Sequence, residues 1–180
     1  FTLYMKMLPT IEKEIGYPLL LKHKAAGKGS SIFKMNDRLD LENKLADLNE
    51  DRAVGRYYIQ EMLDLKADYR ILVVAEQVVG AMQRIPRKGE FRANFSLGGS
   101  VKPVELTEEM KDLATRAAIA TEAQFGGVDI IYTKDNKPYL LEVNRTPGFE
   151  GFMTAHGIDI PKLFVDYINK LYNEHSAKVV

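Results

Sequence analysis

Short apolar runs separated by turn-forming residues recur along the sequence, and they predict β-strands. Such runs stand at 18–22, 32–33, 57–62, 69–75, 78–84 and 127–132, and another begins at Leu140. Several of them follow one another with only a turn or a small-residue loop between. Because a short connection can only join antiparallel strands, we expect hairpins rather than a parallel sheet.

Four other segments have apolar residues at helical spacing and predict helices. They are 8–15, which has Pro9 in its first turn, and 36–48, 107–125 and 161–172. Thr107 is a favourable cap for the longest of them, and two glutamates follow it at the positive end of the helix dipole. Since the helices do not alternate strictly with the strands, the predicted class is α+β with antiparallel sheets.

One predicted hairpin places two carboxylates face to face. Its first strand, 127–132, is joined to the next by a turn-rich connection. If the loop is the pair at 135–136, Asp129 lies directly opposite Glu142, with their Cβ atoms roughly 5 Å apart. Asn144 shares their face, because alternate residues of a strand point the same way.

Opposed carboxylates repel each other unless a cation lies between them. Hard oxygen ligands suit Mg²⁺, which proteins usually hold jointly with substrate phosphates. The hairpin therefore predicts a nucleotide-metal site at Asp129, Glu142 and Asn144. Spacing alone leaves open the alternative of a solvated hairpin face whose acids pair with lysines.

Composition narrows the classes of partner. The 25 basic and 25 acidic residues cancel, which argues against a general nucleic-acid or membrane-surface protein. With no Cys there is no thiolate nucleophile, disulfide or Cys-based zinc site. The three histidines also lack the spacing of a zinc site. No apolar run approaches the roughly 20 residues that span a bilayer, so the cytoplasm is the expected location.

Further candidates for nucleotide contacts lie upstream of the hairpin. Lys22 ends an apolar strand, where its ammonium group can be aimed at a phosphate or can simply reach the solvent. The basic small-residue loop at 24–31 offers a phosphate cradle but lacks the P-loop spacing. Glu61 is equally compatible with a nucleotide contact and with a plain exposed acid. Arg70, Arg84 and Arg92 supply the cations that phosphoryl transfer requires, although surface arginines are common.

Taken in order, these motifs resemble the ATP-grasp ligases, most closely the RimK-like branch that ligates glutamate to the carboxyl terminus of a ribosomal protein. The resemblance runs from about Pro18 to the final helix. The matching motifs are Pro-Leu-Leu-Leu-Lys22, Gln-Glu61-Met62, Asp68-Tyr-Arg70, Phe-Arg92-Ala-Asn94, Gly-Val-Asp129, Leu-Glu142-Val-Asn144 and Thr146-Pro147-Gly148.

The resemblance implies an ATP-grasp fold of two α+β lobes, approximately 1–58 and 59–180, whose antiparallel sheets enclose a nucleotide cleft. Family members have an additional N-terminal domain, so this chain is expected to be a truncated piece. The implied roles are phosphate and adenine contact for Lys22, the adenine hinge for Glu61 and Met62, ribose for Asp68, phosphates for Arg92 and Asn94, and two Mg²⁺ or Mn²⁺ ions for Asp129, Glu142 and Asn144.

The implied reaction phosphorylates a carboxylate with ATP and lets an amine attack the acylphosphate, which Arg84 is expected to steady. The implied partners are ATP, an amino acid such as glutamate, and a peptide or protein carboxylate; a homo-oligomer is left open. A glutathione synthetase-like or lysine-biosynthesis ligase is the alternative enzyme. A non-catalytic ATP-binding module is the alternative from another class.

Overall fold

The computed structural model describes residues 2–25, 31–93 and 98–176. The chain divides into two compact units, Phe1–Asp64 and Leu65–Val180. This division lies beyond the expected lobe boundary at residue 58, because the strand Tyr57–Glu61 pairs with Leu19–His23 and so belongs to the first unit. Among the helices of the described residues, none is both long and apolar enough to cross a membrane.

The first unit is a three-stranded antiparallel sheet with two helices. Its elements are α1 (Thr2–Glu14), β1 (Leu19–His23), β2 (Ile32–Met35), α2 (Arg38–Glu50), a short 3-10 turn (Val54–Arg56) and β3 (Tyr57–Glu61). The strand order is β2-β1-β3. Leu19 and Leu21 are buried on one face against Leu41 and Leu45 of α2. Alternation therefore puts Lys22 on the opposite face of this sheet.

Helix α1 starts earlier than predicted. It begins at Thr2, which leaves Pro9 inside the helix and not in its first turn. A proline there costs roughly 3 kcal/mol of helix stability. Leu8 and Ile11 are buried in the core of the first unit on either side of it, and this burial offsets the cost. Local propensity therefore misplaced the start.

The second unit is a five-stranded antiparallel sheet with three helices. Its elements are β4 (Leu65–Val74), β5 (Gln77–Ile85), β6 (Ser100–Val104), α3 (Glu108–Ala120), β7 (Phe125–Thr133), β8 (Pro138–Asn144), α4 (Glu150–His156) and α5 (Ile160–Ser176). The strand order is β6-β5-β4-β7-β8. The predicted α+β class with antiparallel sheets is confirmed.

Two elements of this unit were not predicted, and one predicted helix was longer than the observed one. Strand β6 contains Pro103, which is tolerated because β6 lies at the edge of the sheet. Helix α4 has only seven residues and carries too little periodicity to be recognised. Helix α3 ends at Ala120, short of the predicted 125, because Phe125 already pairs with Val74 in the sheet.

The two faces of the second sheet differ in character. One face packs against α3 through an apolar core that includes Ile71, Val128 and Ile130. On the other face, Leu72 and Met82 pack against α4 and α5. The same face continues into the charged residues of β4, β5 and β7, which are described below.

Gly80 in β5 lets helix α4 pack directly on this sheet. A Cβ atom at Gly80 would lie 2.9 Å from Cζ of Phe152 and 3.5 Å from the ring of His156. Phe152 is fully buried, and His156 stacks on it while its Nε2–H donates to the Ala81 carbonyl. We expect Gly80→Ala to lower the free energy of unfolding by about 1–3 kcal/mol, measured by urea denaturation.

Gly55→Ala is the matched control for this substitution, because no atom lies within 4 Å of a Cβ built there. It is expected to change the free energy of unfolding by at most about 1 kcal/mol. Similar losses in the two variants would contradict the close approach of α4.

Candidate functional site

The hairpin of β7 and β8 brings the predicted acids together. Asp129 lies directly opposite Glu142, and Gly127 lies opposite Asn144. The predicted juxtaposition of Asp129 and Glu142 is therefore confirmed. Asn144 follows two residues after Glu142 and shares its face of the sheet.

The turn that produces this register is not the predicted one. Close to the turn the register is shifted by one residue, since Ile131 pairs with Tyr139 and the Thr133 N–H donates to the Lys137 carbonyl. The loop thus has three residues, and Asn136 adopts a left-handed φ of 62°. Leu141 then has no partner in β7 and forms a β-bulge, which restores the predicted pairing at Asp129. The two-residue loop was wrong, and the bulge cancelled the error.

Asp129 is buried, with 3% of its surface exposed, and it is held by two arginines. Nε of Arg70 donates to its Oδ1 at 2.7 Å, and Nη2 of Arg70 donates to its Oδ2 at 2.8 Å. Nη1 of Arg84 donates to Oδ2 at 2.9 Å. The alternative of a solvated face with lysine partners is therefore wrong for Asp129.

Arg84 links Asp129 to a second acid. Its Nε donates to Oδ1 of Asp68 at 2.8 Å, and its side chain is 7% exposed. Asp68 pairs with Arg84 across β4 and β5, and Arg70 pairs with Asp129 across β4 and β7. The sheet register thus builds a four-residue charge cluster in the order Arg70, Asp129, Arg84, Asp68. It contains two positive and two negative groups.

Burial and charge shift the protonation equilibria of this cluster. Burial raises the pKa of the Asp68 carboxyl above its usual value, although Arg84 opposes the shift. Burial also lowers the pKa of the Arg84 guanidinium, but Asp129 and Asp68 outweigh this effect and the net pKa is raised. Arg84 therefore stays charged at all ordinary pH values.

Glu142 and Asn144 form the open side of the site. Glu142 is exposed, and within the described part of the chain its carboxylate has no hydrogen-bonding or ion-pair partner. Asn144 is half-buried, and its Oδ1 accepts a bond from the Thr146 N–H at 3.3 Å. Among the described residues, no cluster of three His, Cys, Asp or Glu side chains that could hold a metal occurs. The donor set of two carboxylates and one amide oxygen nevertheless fits a hard divalent cation.

The predicted nucleotide contacts in the first unit lie near the ends of β1 and β3. Nζ of Lys22 donates to Oε1 of Gln60 at 3.1 Å, so its ammonium group is held by a side-chain partner. Glu61 is exposed and Met62 is half-buried. These side chains belong to the first unit, whereas the charge cluster belongs to the second.

Arg92 is tied to a neighbouring acid. Its Nη2 lies 2.6 Å from Oε2 of Glu90, whose Oε1 accepts bonds from the backbone N–H groups of Phe91 and Arg92. The Arg92 side-chain hydrogen bond is the main reason that the pKa of Glu90 falls to about 2. Asn94, the other predicted phosphate contact, lies outside the described residues.

A cavity of about 350 Å³ lies on the face of the second sheet opposite to the charge cluster, beside the start of α3. Its walls include Tyr69 and Tyr132, and Tyr132 donates a hydrogen bond to Glu109 at 2.7 Å. Burial and this bond raise the pKa of Tyr132 to about 12. Because Tyr69 alternates with Asp68 and Arg70 along β4, this cavity does not adjoin the charge cluster.

Arg70 is the site residue that sequence reasoning left without a specific role. It was one of several candidate cations, and the signal that could have singled it out is its spacing of two from Asp68, which puts both on one face of β4. Gly127 leaves room for Pro147 beside this arginine. A Cβ atom there would lie 3.4 Å from Nε of Arg70 and 2.8 Å from Cβ of Pro147.

Comparison with known families agrees with this arrangement. A family model described as the RimK-like ATP-grasp domain matches residues 3–168. The chain belongs to the RimK-like ATP-grasp family. The β7–β8 hairpin, the charge cluster and both sheets all fall inside the matched region.

Relatives of this RimK-like chain include proteins described as probable alpha-L-glutamate ligases. The one from Pasteurella multocida is 33% identical over 166 residues, which cover 91% of this chain and 52% of the relative. The one from Chromohalobacter salexigens is 40% identical over 157 residues, which cover 86% of this chain and 51% of the relative. The chain thus spans about half the length of these relatives.

Solved structures support the same fold. The ATP-grasp ligase PsnB complexed with a minimal precursor is 25% identical, with a TM-score of 0.67, and the match covers 92% of this chain and 51% of PsnB. The complex of PsnB with the minimal precursor, Mg and ADP gives a TM-score of 0.69 at 24% identity, covering 92% of this chain and 50% of that one. The predicted ATP-grasp fold is confirmed.

Proposed function

We propose that this RimK-like domain binds ATP with Mg²⁺ and serves, within a longer protein, as the catalytic part of a carboxylate–amine ligase that works through an acylphosphate. The observation that carries the proposal is the pairing of Asp129 with Glu142, two acids on one face of the sheet, with arginines bonded to Asp129. Because the reaction consumes ATP, we also propose the cytoplasm as its location.

In this proposal Asp129, Glu142 and Asn144 hold Mg²⁺, for which Mn²⁺ can substitute. When bound, the metal supplies positive charge for phosphate oxygens. Arg84 is fixed by two carboxylates, so its remaining N–H groups keep one orientation and can stabilise the negative charge of an acylphosphate without reorganising. The chain has no Cys, and this reaction needs no side-chain nucleophile.

The proposed nucleotide contacts rest on the family resemblance and on the hydrogen-bonding groups that each side chain leaves unused. We propose that Lys22, oriented by Gln60, contacts phosphate and adenine. Asp68 gives Oδ1 to Arg84 and keeps Oδ2 for a ribose hydroxyl. The remaining proposed contacts are adenine for Glu61 and Met62, and phosphates for Arg92 and Asn94.

We propose an amino acid such as glutamate as the amine and a peptide or protein carboxyl group as the acceptor. Two findings support this choice: the alpha-L-glutamate ligase relatives and the peptide precursor in the PsnB complexes. The test is release of ADP and phosphate by the full-length parent protein, with glutamate and a panel of acidic peptides.

We expect ADP release that depends on both the peptide and glutamate, together with a peptide product that is heavier by one glutamyl residue. Turnover with another amino acid, or with a small thiol peptide precursor, would favour a lysine-biosynthesis or glutathione synthetase-like ligase. ATP binding without acceptor-dependent ADP release would leave a non-catalytic ATP-binding module.

A further inference from the structure

The planar guanidinium of Arg70 donates one hydrogen bond to each carboxylate oxygen of Asp129, from Nε at 2.7 Å and from Nη2 at 2.8 Å. The side chains of Arg70 and Asp129 are 14% and 5% exposed, so the pair is shielded from solvent. A bidentate guanidinium–carboxylate pair fixes the orientation of the carboxylate as well as neutralising it. Protein side chains therefore hold Asp129 in one defined orientation.

The hydrogen bonds of Asp129 leave it one way to bind a cation. A carboxylate has about four lone-pair positions, and the guanidinium groups occupy one on Oδ1 and two on Oδ2. The remaining position is on Oδ1. Asp129 can thus act as a monodentate ligand, which suits Mg²⁺ because this ion takes one or two carboxylates together with waters and phosphates.

The two arginines differ in how their charges are balanced. Arg84 is shared between Asp129 and Asp68. In the described part of the chain, the ion pairs of Arg70 are confined to Asp129. The positive charge of Arg70 is therefore the one that directly opposes a metal ion beside Asp129.

We propose that Arg70 is a positioning and selectivity residue that stands in for a cation at Asp129, so that the domain takes up divalent metal as its ATP complex and excludes the free ion. The proposal rests on the metal site of the proposed function. It adds that the site distinguishes the metal–ATP complex from the free metal ion.

The selectivity follows from the sum of charges. The charge cluster together with Glu142 carries three acids and two arginines, which gives a net charge of −1. Without Arg70 the net charge is −2, and a free divalent ion is attracted more strongly. The metal–ATP complex is an anion, so Arg70 attracts it while repelling the bare ion. Removing Arg70 therefore shifts the preference towards the free metal.

The test is titration of the 180-residue chain with Mn²⁺, followed by the electron paramagnetic resonance signal of the unbound ion. Without nucleotide, we expect Arg70→Met to bind Mn²⁺ about tenfold or more tightly than the unchanged chain. With a non-hydrolysable ATP analogue present, we expect the unchanged chain to bind Mn²⁺ and the variant to bind it no better. Arg116→Met, which removes an exposed arginine paired with Asp112, should change neither affinity.

Two further variants connect the effect to Asp129. Arg70→Met combined with Asp129→Asn should lose the gained affinity for free Mn²⁺. Arg70→Lys keeps the positive charge but cannot make the paired hydrogen bonds of the guanidinium. This variant should continue to exclude the free ion. If Arg70→Met does not fold, Arg70→Gln takes its place, since an amide keeps an N–H donor for Asp129 but carries no charge.

The possible failures are distinguishable. If the unchanged chain binds no Mn²⁺ with the ATP analogue, the proposed function is overturned. If it binds Mn²⁺ with the analogue, and Arg70→Met leaves the affinity for free Mn²⁺ unaltered, only the role of Arg70 is overturned. A gain of affinity that survives Asp129→Asn would also overturn it, because the new site would lie elsewhere.

Discussion

Arg84→Met is expected to lower the free energy of unfolding of the second unit by about 3–5 kcal/mol. Arg84 is 6% exposed and bonds to both Asp68 and Asp129. Methionine is of similar length and fills much of the space, but it leaves the buried Asp129 and the partly buried Asp68 with one arginine fewer. The cost comes from these uncompensated charges and not from a cavity.

The measurement is hydrogen exchange of the amides of β4 and β7 at increasing urea concentration, because the two compact units need not unfold together. Arg116→Met is the matched control, since Arg116 is exposed and pairs with Asp112 at the surface. It should change stability by about 0.5 kcal/mol or less. A loss below about 1 kcal/mol for Arg84→Met would contradict the buried cluster.

The Arg84→Met defect should shrink as the pH falls. Burial already raises the pKa of Asp68 above 3.8 in the folded protein, and removing Arg84 raises it further, because Arg84 is the group that opposes the shift most. A carboxyl group with a higher pKa in the folded state binds its proton more tightly when folded, so protonation favours folding. Stability relative to the unchanged chain should therefore recover as the pH falls from the pKa of Asp68 in the folded variant to its lower, already raised pKa in the folded unchanged chain. A defect that grows in this range would contradict the sign of the shift.

The alternation of apolar and polar residues predicted the part of the fold that builds the β7–β8 hairpin. Strands β7 and β8 and the opposition of Asp129 and Glu142 follow from the period of two and from a short turn. The turn length was nevertheless misjudged by one residue. A bulge at Leu141 absorbed the difference, and no feature of a single strand's pattern predicts a bulge that keeps two acids in register.

The burial of the acids could not be predicted in the same way. Whether Asp129 is solvated or buried depends on its neighbours in β4. The sequence contains several arginines, and spacing alone does not show which of them contacts Asp129. Arg70 and Arg84 are selected only once β4 is paired with β5 on one side and β7 on the other. These are contacts between residues 16 and 59 positions apart, which local pattern does not encode.

The nucleotide roles have a different origin. Spacing indicated Lys22 and Glu61 as candidates for nucleotide contacts, but left open a solvent-exposed lysine and a plain exposed acid. The family resemblance is what favours the phosphate and adenine roles. The structure adds one observation, the bond between Lys22 and Gln60, which holds the ammonium group on the face of the first sheet opposite to α2. Neither role can be derived from charge and spacing alone, because an exposed acid and a strand-end lysine are common on any protein surface.

Glu142→Gln is expected to separate function from stability. Glu142 is exposed, has no partner among the described side chains and lies directly opposite Asp129. Like charges opposite each other in a sheet are destabilising by about 0.2–1 kcal/mol. The variant should therefore be as stable as the unchanged chain, or slightly more stable, when metal and nucleotide are absent. With MgATP present, it should lose most of the stabilisation that the unchanged chain gains.

In the complete ligase of the proposed function, we expect Glu142→Gln to lower kcat by on the order of 10³, about 4 kcal/mol in the activation free energy. Thermal melting with and without MgATP measures the first effect, and acceptor-dependent ADP release measures the second. Glu105→Gln is the matched control, because Glu105 is an exposed acid away from the hairpin. If Glu142→Gln melts at a lower temperature without ligands yet keeps the full gain with MgATP, Glu142 is a structural residue and the metal site is wrong.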